Sequence, residues 1–271
     1  MIALTDAEFH EIAGYINRNY GVNLTKKRFL IEGRLGYYID SLGFDNYHDY
    51  FEYAKNDSRG RELANLINRL TTHHTYFMRE EKHFEFYRST VLPWVADDLG
   101  ETDLRAWSAG CSSGQEPYTL SIVTLDYLNE RGFNWDSAIL ATDISENALA
   151  YGSKGIYPSE EISILPPEWI DTWFENVGSG SLRVNAKLRA NVAFKRANLL
   201  DPFDVKRPFH IIMCRNVMIY FDNETRAHLA AKFYDALTPG GYLIIGHSES
   251  LSAIKNEFSY IKPSIYRKPP A

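Results

Sequence analysis

The chain has 271 residues, of which 45% are apolar and 24% charged, and its formal net charge is −6. This composition is typical of a soluble globular protein with one large domain or two smaller ones. No apolar run approaches the roughly 18 residues that cross a bilayer, and the N-terminus lacks the pattern of a signal peptide. We therefore predict a cytoplasmic protein without membrane insertion, and the negative charge argues against a nucleic-acid partner.

The first 75 residues have only the apolar spacing of helices, which predicts an all-helical N-terminal domain at 1–75. An aromatic and charged stretch at 76–95 is predicted to form a connecting helix. The four helices of the N-terminal domain are expected near residues 5–20, 25–42, 47–54 and 60–70.

In the remaining domain, 96–271, predicted strands and helices alternate, which is typical of a largely parallel α/β sheet covered on both faces. Between about 158 and 191 the alternation breaks, and the turn Gly178-Ser179-Gly180 indicates a small β insertion. Strands are expected near 104–109, 138–143, 192–197, 209–214, 241–246 and 264–267, and helices near 116–130, 145–152 and 223–237.

The stretch LRAWSAGCSSGQEPYT at 104–119 predicts a strand, a glycine-rich turn and a helix. Such a unit lets a ligand approach the backbone and the free N–H groups of the helix N-terminus. It has neither a strict GxGxxG pattern nor a Walker lysine, so a pyrophosphate or triphosphate is not the expected ligand. Glycine and serine also occur at this place in α/β proteins generally, and the stretch alone does not establish a ligand site.

Polar residues follow four predicted strands, and open α/β sheets bind their ligands at such strand ends. Asp143 can accept hydrogen bonds from ribose hydroxyls, or it can cap the helix that follows. Asn198 and Asn216 can contact a ligand, or they can satisfy turn backbone. Together with Glu116, this set suits a neutral or cationic nucleoside better than a phosphate.

The cysteines and histidines do not indicate a metal centre. Cys111 and Cys214 each lie where a predicted strand ends and are expected to be reduced, buried thiols. The histidines are scattered along the sequence, and the adjacent His73 and His74 would point in different directions on a helix. We predict no metal site.

Several motifs together resemble the CheR family of chemotaxis receptor methyltransferases, and the resemblance covers nearly the whole chain. They are CRNVMIYFD (Cys214–Asp222), GQEPYTL, ATDIS, LTTxxTxFxRE (Leu70–Glu80) and GHSES (Gly246–Ser250). The resemblance implies a Rossmann-like, S-adenosylmethionine (SAM) dependent methyltransferase sheet behind a helical domain. The implied activity is methyl esterification of glutamate side chains on cytoplasmic helices of chemoreceptors, in sensory adaptation, with S-adenosylhomocysteine as product.

The resemblance also implies roles for individual residues. Arg79 and Tyr220 would lie beside the transferred methyl group. Without the resemblance, the simpler interpretations are a surface salt bridge for Arg79 and a core aromatic residue for Tyr220. At a further cofactor contact, many members have asparagine where this chain has His73. The remaining cofactor contacts would be Thr75, Arg79, Gly110, Glu116, Asp143, Asn198, Leu199, Asn216 and Val217.

A glutamate, with an ordinary pKa of about 4.3, is already a carboxylate at neutral pH, so its attack on a sulfonium methyl group needs no general base. We therefore expect alignment of the reactants and exclusion of water to give most of the rate acceleration.

The partner is expected to contact the basic start of the second helix, at Lys26, Lys27, Arg28 and Arg34. Such a cluster is usually a solvated helix face. Lysines at a helix N-terminus are unfavourable because they oppose the helix dipole, so their presence there indicates a functional reason. The resemblance implies that this domain faces the receptor. The turn Val177–Ser181 is shorter and less rich in glycine than in members that bind a receptor C-terminal pentapeptide, so we expect an enzyme that works without that tether. We also predict that the protein is a monomer.

Two other functions fit the same fold. One is a SAM-dependent enzyme for a small molecule or RNA, which the helical domain and the motif set disfavour. The other is a SAM-binding adaptor without activity, against which the presence of Arg79 and Tyr220 argues.

Overall fold

A computed structural model of the chain describes residues 2–58, 60–71, 75–202 and 205–271. Its contacts divide the chain into two compact units. The smaller unit consists of Met1–His73 and Tyr220–Thr225, and the larger one of His74–Ile219 and Arg226–Ala271. The polypeptide therefore leaves the larger unit once, after Ile219, to complete the smaller one.

In the described part of the smaller unit, four helices lie near the positions that the apolar spacing predicted. Helix α1 begins with a capping box formed by Thr5 and Glu8, and it ends at Gly21, which adopts a left-handed conformation. Buried isoleucine, leucine and aromatic side chains from these helices form the interior of the unit. The helices are α1 (Asp6–Tyr20), α2 (Arg28–Ser41), α3 (Tyr47–Asn56) and α4 (Arg61–Leu70).

Helix α2 begins three residues later than predicted. The side chain of Asn23 accepts hydrogen bonds from the backbone N–H and the hydroxyl of Thr25, which favours a turn there. Lys27 has non-helical dihedral angles and precedes the first helical residue, Arg28. Lys26 and Lys27 therefore lie before the helix, and the prediction that the helix begins with them is wrong.

The larger unit begins with helix α5 (Lys82–Phe86), which continues through the π-helical segments Tyr87–Val91 and Trp94–Asp98. Its other helices are α6 (Gln115–Arg131), α7 (Glu146–Lys154), α8 (Ser159–Ile162), α9 (Pro167–Trp173), α10 (Ala186–Ala190) and α11 (Asn223–Ala236). Its strands are β1 (Ala106–Ala109), β2 (Ile139–Asp143), β3 (Ile156–Pro158), β4 (Phe174–Gly178), β5 (Ser181–Val184), β6 (Val192–Arg196), β7 (Phe209–Cys214), β8 (Leu237–Ile245), β9 (Ser259–Lys262) and β10 (Ile265–Arg267).

Seven strands form the main sheet in the order β6-β2-β1-β7-β8-β10-β9. The first five are parallel, and β10 and β9 are antiparallel additions. The order of the parallel strands reverses direction between β1 and β7, and this switch point is where an open α/β sheet has its ligand crevice. The prediction of a Rossmann-like sheet is confirmed, although it omitted β9.

The predicted insertion is a three-stranded antiparallel sheet in the order β3-β5-β4. Its hairpin turns at Gly178, Ser179 and Gly180, all of which have positive φ. This turn was predicted from the sequence, but strand β3 was not. Among the described residues, no helix is long and apolar enough to cross a membrane.

Candidate cofactor site

The glycine turn after β1 packs directly against the turn after β7. Gly110 has a φ of 89°, and a Cβ atom there would lie 2.4 Å from Cγ2 of Val217. Gly114 has a φ of 97° and would meet the Tyr157 hydroxyl at 2.8 Å. Only glycine satisfies both the backbone conformation and the available space. The two turns therefore meet at the switch point of the sheet.

Asp143, at the end of β2, holds the glycine turn in place. Its Oδ2 accepts a hydrogen bond from the Ser112 backbone N–H at 2.8 Å, and Oδ1 accepts one from Ser145 N–H at 2.9 Å. The cap of α7 is Ser145, whose hydroxyl accepts a hydrogen bond from Ala148 N–H. The cap of α7 is therefore Ser145 and not Asp143, which was one of the two predicted alternatives for Asp143. Each carboxylate oxygen has a second lone pair that can accept a ligand hydroxyl.

Glu116 lies in the first turn of α6, where it faces the end of β7. Its Oε1 accepts a hydrogen bond from the Ser108 hydroxyl at 2.6 Å, and its Oε2 lies 3.3 Å from Nε of Arg215. Burial raises the pKa of the Glu116 carboxyl, and the Arg215 guanidinium and the Ser108 hydroxyl partly oppose this rise. The positive charge of Arg79 also lowers this pKa.

Arg215 is a residue that the sequence analysis missed. Its side chain is only 2% exposed, and it lies between the carboxylates of Glu116 and Glu80, with Nε 3.7 Å from Oε2 of Glu80. It also donates a hydrogen bond to the backbone carbonyl of Arg79. The sequence held one signal for this role, which is that Arg215 directly follows the apolar strand HIIMC. A positive charge at the end of a buried strand needs anionic partners nearby.

Glu249 is a second residue that was missed, and it joins the ends of β7 and β8. Its Oε2 accepts hydrogen bonds from the N–H groups of Asn216 at 2.9 Å and Gly246 at 2.5 Å. Its Oε1 accepts one from Ile219 N–H at 3.1 Å. Burial raises the pKa of Glu249, and these backbone N–H groups oppose the rise. The carboxylate thereby holds Asn216 in its left-handed conformation, with a φ of 59°.

The segment around Arg79 is strained. Its neighbours Met78 and Glu80 have φ values of 57° and 58°, which are unusual for residues with a side chain. The carboxylate of Glu80 accepts hydrogen bonds from the Asn216 side-chain amide and the His247 N–H, each at 3.3 Å. Strain of this kind persists only where surrounding contacts impose it, and it concentrates at functional sites.

Two histidines that are far apart in the sequence meet beside this segment. The rings of His83 and His247 are 4.6 Å apart, and together with Glu80 they bring three ligand atoms within 4.8 Å of one another. Histidines that are scattered along the sequence thus meet in the fold, which the sequence analysis did not predict. Burial, with help from Arg215 and other nearby cations, lowers the pKa of His83 to about 3, so the ring is neutral. The absence of a metal stays a prediction.

Both cysteines are free and buried, as expected. Burial raises the pKa of Cys111 and of Cys214 well above the ordinary thiol range, so both thiols are protonated at neutral pH.

The other predicted cofactor residues have less distinctive surroundings. Asn198, after β6, accepts a hydrogen bond from Leu200 N–H and donates one to Asp201, so it satisfies turn backbone as one alternative predicted. Leu199 is 8% exposed. Thr75 lies just before the strained segment and is partly buried. His73 lies outside the described residues.

Tyr220 ends a short 3₁₀ helix, Met218–Tyr220, and belongs by its contacts to the smaller unit. Its backbone carbonyl accepts a hydrogen bond from Asn23 N–H at 2.7 Å. The ammonium of Lys27 lies 5.2 Å from the centroid of its ring, within the range of a cation–π contact. Tyr220 therefore contacts the segment that immediately precedes α2.

Two of the four predicted receptor-binding cations have ion-pair or hydrogen-bond partners inside the smaller unit, besides the cation–π contact of Lys27. Arg28 pairs with Asp6 at 2.6 Å and with Glu32 at 3.2 Å. Arg34 donates hydrogen bonds to the carbonyls of Arg69 and Thr71, at 3.1 and 2.8 Å. These contacts give both arginines a structural role whatever else they bind.

The chain matches two protein-family models. The model for the "CheR methyltransferase, SAM binding domain" covers residues 73–267, and the model for the "CheR methyltransferase, all-alpha domain" covers residues 7–71. The chain is 39% identical to the chemotaxis protein methyltransferase of Borreliella burgdorferi, over 98% of this chain and 96% of that protein. It is 34% identical to the chemotaxis protein methyltransferase of Escherichia coli, over 98% of this chain and 92% of that protein.

Among solved structures, the plantazolicin methyltransferase BpumL aligns with 77% of this chain and 61% of its own, at 13% identity and a TM-score of 0.36. This distant likeness adds nothing to the family assignment. The sheet, its switch-point turns and the family models define a SAM-dependent methyltransferase. Within that class, the chain belongs to the CheR methyltransferase family, as its motifs indicated.

Proposed function

We propose that this enzyme methylates glutamate side chains on cytoplasmic helices of chemoreceptors, giving glutamate methyl esters and S-adenosylhomocysteine. The observation that carries the proposal is the pair of carboxylates, Glu116 and Asp143, beside a glycine turn at the switch point. A site of this charge favours a cationic nucleoside over a phosphate. The motifs of the family and its relatives supply the substrate class.

The acceptor groups of the site suit SAM. Asp143 binds ribose hydroxyls, and Glu116 binds the cofactor's ammonium group or its ribose. Gly110 and Val217 let the cofactor approach the backbone at the junction of the two turns, where Asn216 also contacts it. The other proposed contacts are His73, Thr75, Arg79, Asn198 and Leu199. When bound, SAM supplies an electrophilic methyl group on a sulfonium.

The chain's own part in the reaction is to orient a carboxylate and exclude water. Arg79 binds the substrate glutamate through two N–H groups, and the Tyr220 hydroxyl orients it. The hydrogen bond from Arg215 to the Arg79 carbonyl fixes the backbone from which the Arg79 side chain extends. No residue has to accept a proton, because the glutamate is already ionised at neutral pH.

The receptor contacts the smaller unit at Lys26, Lys27, Arg28 and Arg34, which attract its acidic helices. The short hairpin at Val177–Ser181 supports methylation that is independent of a pentapeptide tether. We further propose that the enzyme acts as a monomer in the cytoplasm.

The test is transfer of labelled methyl from SAM to purified chemoreceptor cytoplasmic domains from the same organism. Base-labile release of methanol identifies a glutamate methyl ester. An RNA pool and small-molecule acceptors serve as parallel substrates. Transfer to the receptor domains alone is expected, whereas base-stable label or preferred transfer to RNA would contradict the proposal.

A pentapeptide-terminated receptor tail provides a separate test of the tether. We expect no saturable heat of binding in a calorimetric titration of the enzyme with that peptide. A clear isotherm would reject tether independence without affecting the proposed reaction.

A further inference from the structure

His83, in helix α5, is a buried imidazole without a hydrogen-bond partner among the described residues. It is 1% exposed, and neither Nδ1 nor Nε2 makes a hydrogen bond. Its Nδ1 lies 3.3 Å from Oε2 of Glu80, but the two groups do not form a hydrogen bond. An unpartnered polar side chain in the interior is unfavourable. The ring therefore needs a partner that the described residues do not supply.

Two further side chains surround the same point. Glu80 lies three positions before His83, and the ring of His247, from the turn after β8, is 4.6 Å from the His83 ring. One ligand atom from each of the three side chains lies within 4.8 Å of the other two. Two imidazoles and one carboxylate are typical ligands of Zn²⁺ and of neighbouring divalent metals.

The spacing of these ligand atoms also suits a metal ion. Two ligand atoms of a tetrahedral Zn²⁺ ion are about 3.3 Å apart, because each bond is about 2.0 Å long. The distance from Nδ1 of His83 to Oε2 of Glu80 has this value already. His247 is exposed, so its ring has room to close the remaining distance.

The charge around the cluster permits a cation but weakens its binding. Glu80 supplies a negative charge, whereas Nε of Arg215 lies 3.7 Å from its Oε2. Arg215 also faces Glu116, with Nε 3.3 Å from Oε2 of that residue, so its charge is shared between two carboxylates. Lys262 is a further cation near His83. We therefore expect micromolar affinity rather than the tighter binding of a structural zinc site.

A second cluster of possible ligands, in the smaller unit, lacks these properties. It consists of Glu11, His48 and Glu52. Nδ1 of His48 lies 2.8 Å from a carboxylate oxygen of Glu11, and the ammonium of Lys55 contacts both carboxylates. His48 is exposed, so its other nitrogen can bind water. A cation and a hydrogen bond already satisfy this cluster, which makes it an internal comparison.

We propose that Glu80, His83 and His247 form a binding site for a divalent metal ion such as Zn²⁺, and that the bound ion inhibits the enzyme. The sequence predicted no metal site because its histidines are scattered, but the fold brings two of them together beside Glu80. Glu80 also accepts hydrogen bonds from the Asn216 side-chain amide and the His247 N–H. A metal ion competes for the lone pairs of this carboxylate, so these bonds weaken and the adjoining Arg79 segment shifts. The inhibition, unlike the metal site itself, rests on the proposed function.

Metal binding is tested on the full chain after treatment with a chelator. Calorimetry with Zn²⁺ and the visible absorption of bound Co²⁺ should give one ion per chain and a Kd of about 1–10 µM. His247→Ala should raise this Kd about tenfold or more and leave the melting temperature unchanged, because His247 is exposed. His48→Ala, from the second cluster, is the matched control and should bind the metal as the wild type does.

Two results would overturn the site. One is the absence of binding to the wild-type chain at roughly 100 µM Zn²⁺, well above the expected Kd. The other is loss of binding in His48→Ala together with wild-type affinity in His247→Ala, which would move the metal to the smaller unit.

Inhibition is tested by labelled methyl transfer to the receptor domain, in Zn²⁺ or in chelator. Zn²⁺ should slow the wild-type enzyme about tenfold, because a small displacement of Arg79 disturbs the orientation of the substrate. In chelator, His247→Ala should act at the wild-type rate, since its hydrogen bond to Glu80 uses the backbone N–H. The same variant should resist Zn²⁺, and equal inhibition of both enzymes would overturn the link between site and activity.

The two experiments separate this site from the proposed function. If the wild-type chain methylates no receptor domain but loses Zn²⁺ affinity in His247→Ala, the proposed function fails and the metal site stands. If it methylates the receptor and binds no Zn²⁺, the metal site fails and the proposed function stands.

Discussion

The switch point of the sheet and the outer face of α2 are built on opposite principles. At the switch point, buried carboxylates are held by several partners, as Glu249 is by three backbone N–H groups. On α2, the rings of Phe29 and Tyr37 are exposed and Gly33 faces empty space. A cofactor of fixed shape suits the preorganised site, whereas a large partner supplies the missing contacts of the exposed face. Substitutions in the two regions should therefore fail in different ways.

The largest effect is expected from Arg79→Ala. Loss of the guanidinium that orients the substrate carboxylate should lower kcat/KM for receptor methylation by about two to three orders of magnitude. The fold should survive, because the Arg79 contact with Arg215 uses the backbone carbonyl. Initial rates and thermal melting measure the two quantities, and Arg79→Lys is the matched control. Near-normal turnover would remove Arg79 from the mechanism.

A smaller but broader effect is expected from Glu249→Gln. The amide group replaces one acceptor oxygen with a donor that faces backbone N–H groups, which should cost about 1–3 kcal/mol of unfolding free energy. SAM affinity should fall about tenfold, because the Asn216 turn loosens. Denaturant unfolding and calorimetry test this, with the exposed Glu257→Gln as control. If the variant lost receptor binding but kept normal SAM affinity, Glu249 would not support the cofactor site.

The junction of the two turns can be tested by a double-mutant cycle. Gly110→Ala should weaken SAM binding and lower stability by about 1–3 kcal/mol, because the new methyl group overlaps Val217 at 2.4 Å. Val217→Ala removes that side chain and should restore part of the loss. Strictly additive effects on stability and SAM affinity would mean that the left-handed φ of Gly110, and not the close packing, is the reason for glycine.

The smallest effect is expected from the solvent-facing charges. Lys26→Glu/Lys27→Glu should lower receptor methylation roughly threefold to tenfold, more at low salt than at high salt, and leave SAM affinity unchanged. Arg28→Ala and Arg34→Ala serve as comparison, since both arginines also have partners inside the unit and should lower the melting temperature. Equal losses of SAM binding and receptor methylation in the lysine variant would contradict the separation of the two regions.

Local sequence determined much of this protein. The capping box at Thr5, Gly21 at the end of α1 and the strand–turn–helix pattern around Gly110 depend on residues only a few positions apart, so they were predictable. The edge strands β3 and β9 were not, because a short exposed strand has little apolar periodicity and is defined by its partner. The late start of α2 was missed because one side chain, Asn23, forms a competing local turn.

Only the tertiary structure decided which polar groups hold the site together. Arg215 lies between carboxylates that are about a hundred positions or more away in the sequence, and Glu249 binds a turn over thirty positions away. His83 and His247 meet although the sequence separates them widely. Burial makes the contacts of Arg215 and Glu249 necessary, since a charge removed from water needs a partner. Which partner it finds depends on the order of strands in the sheet, and no local pattern in the sequence contains that order.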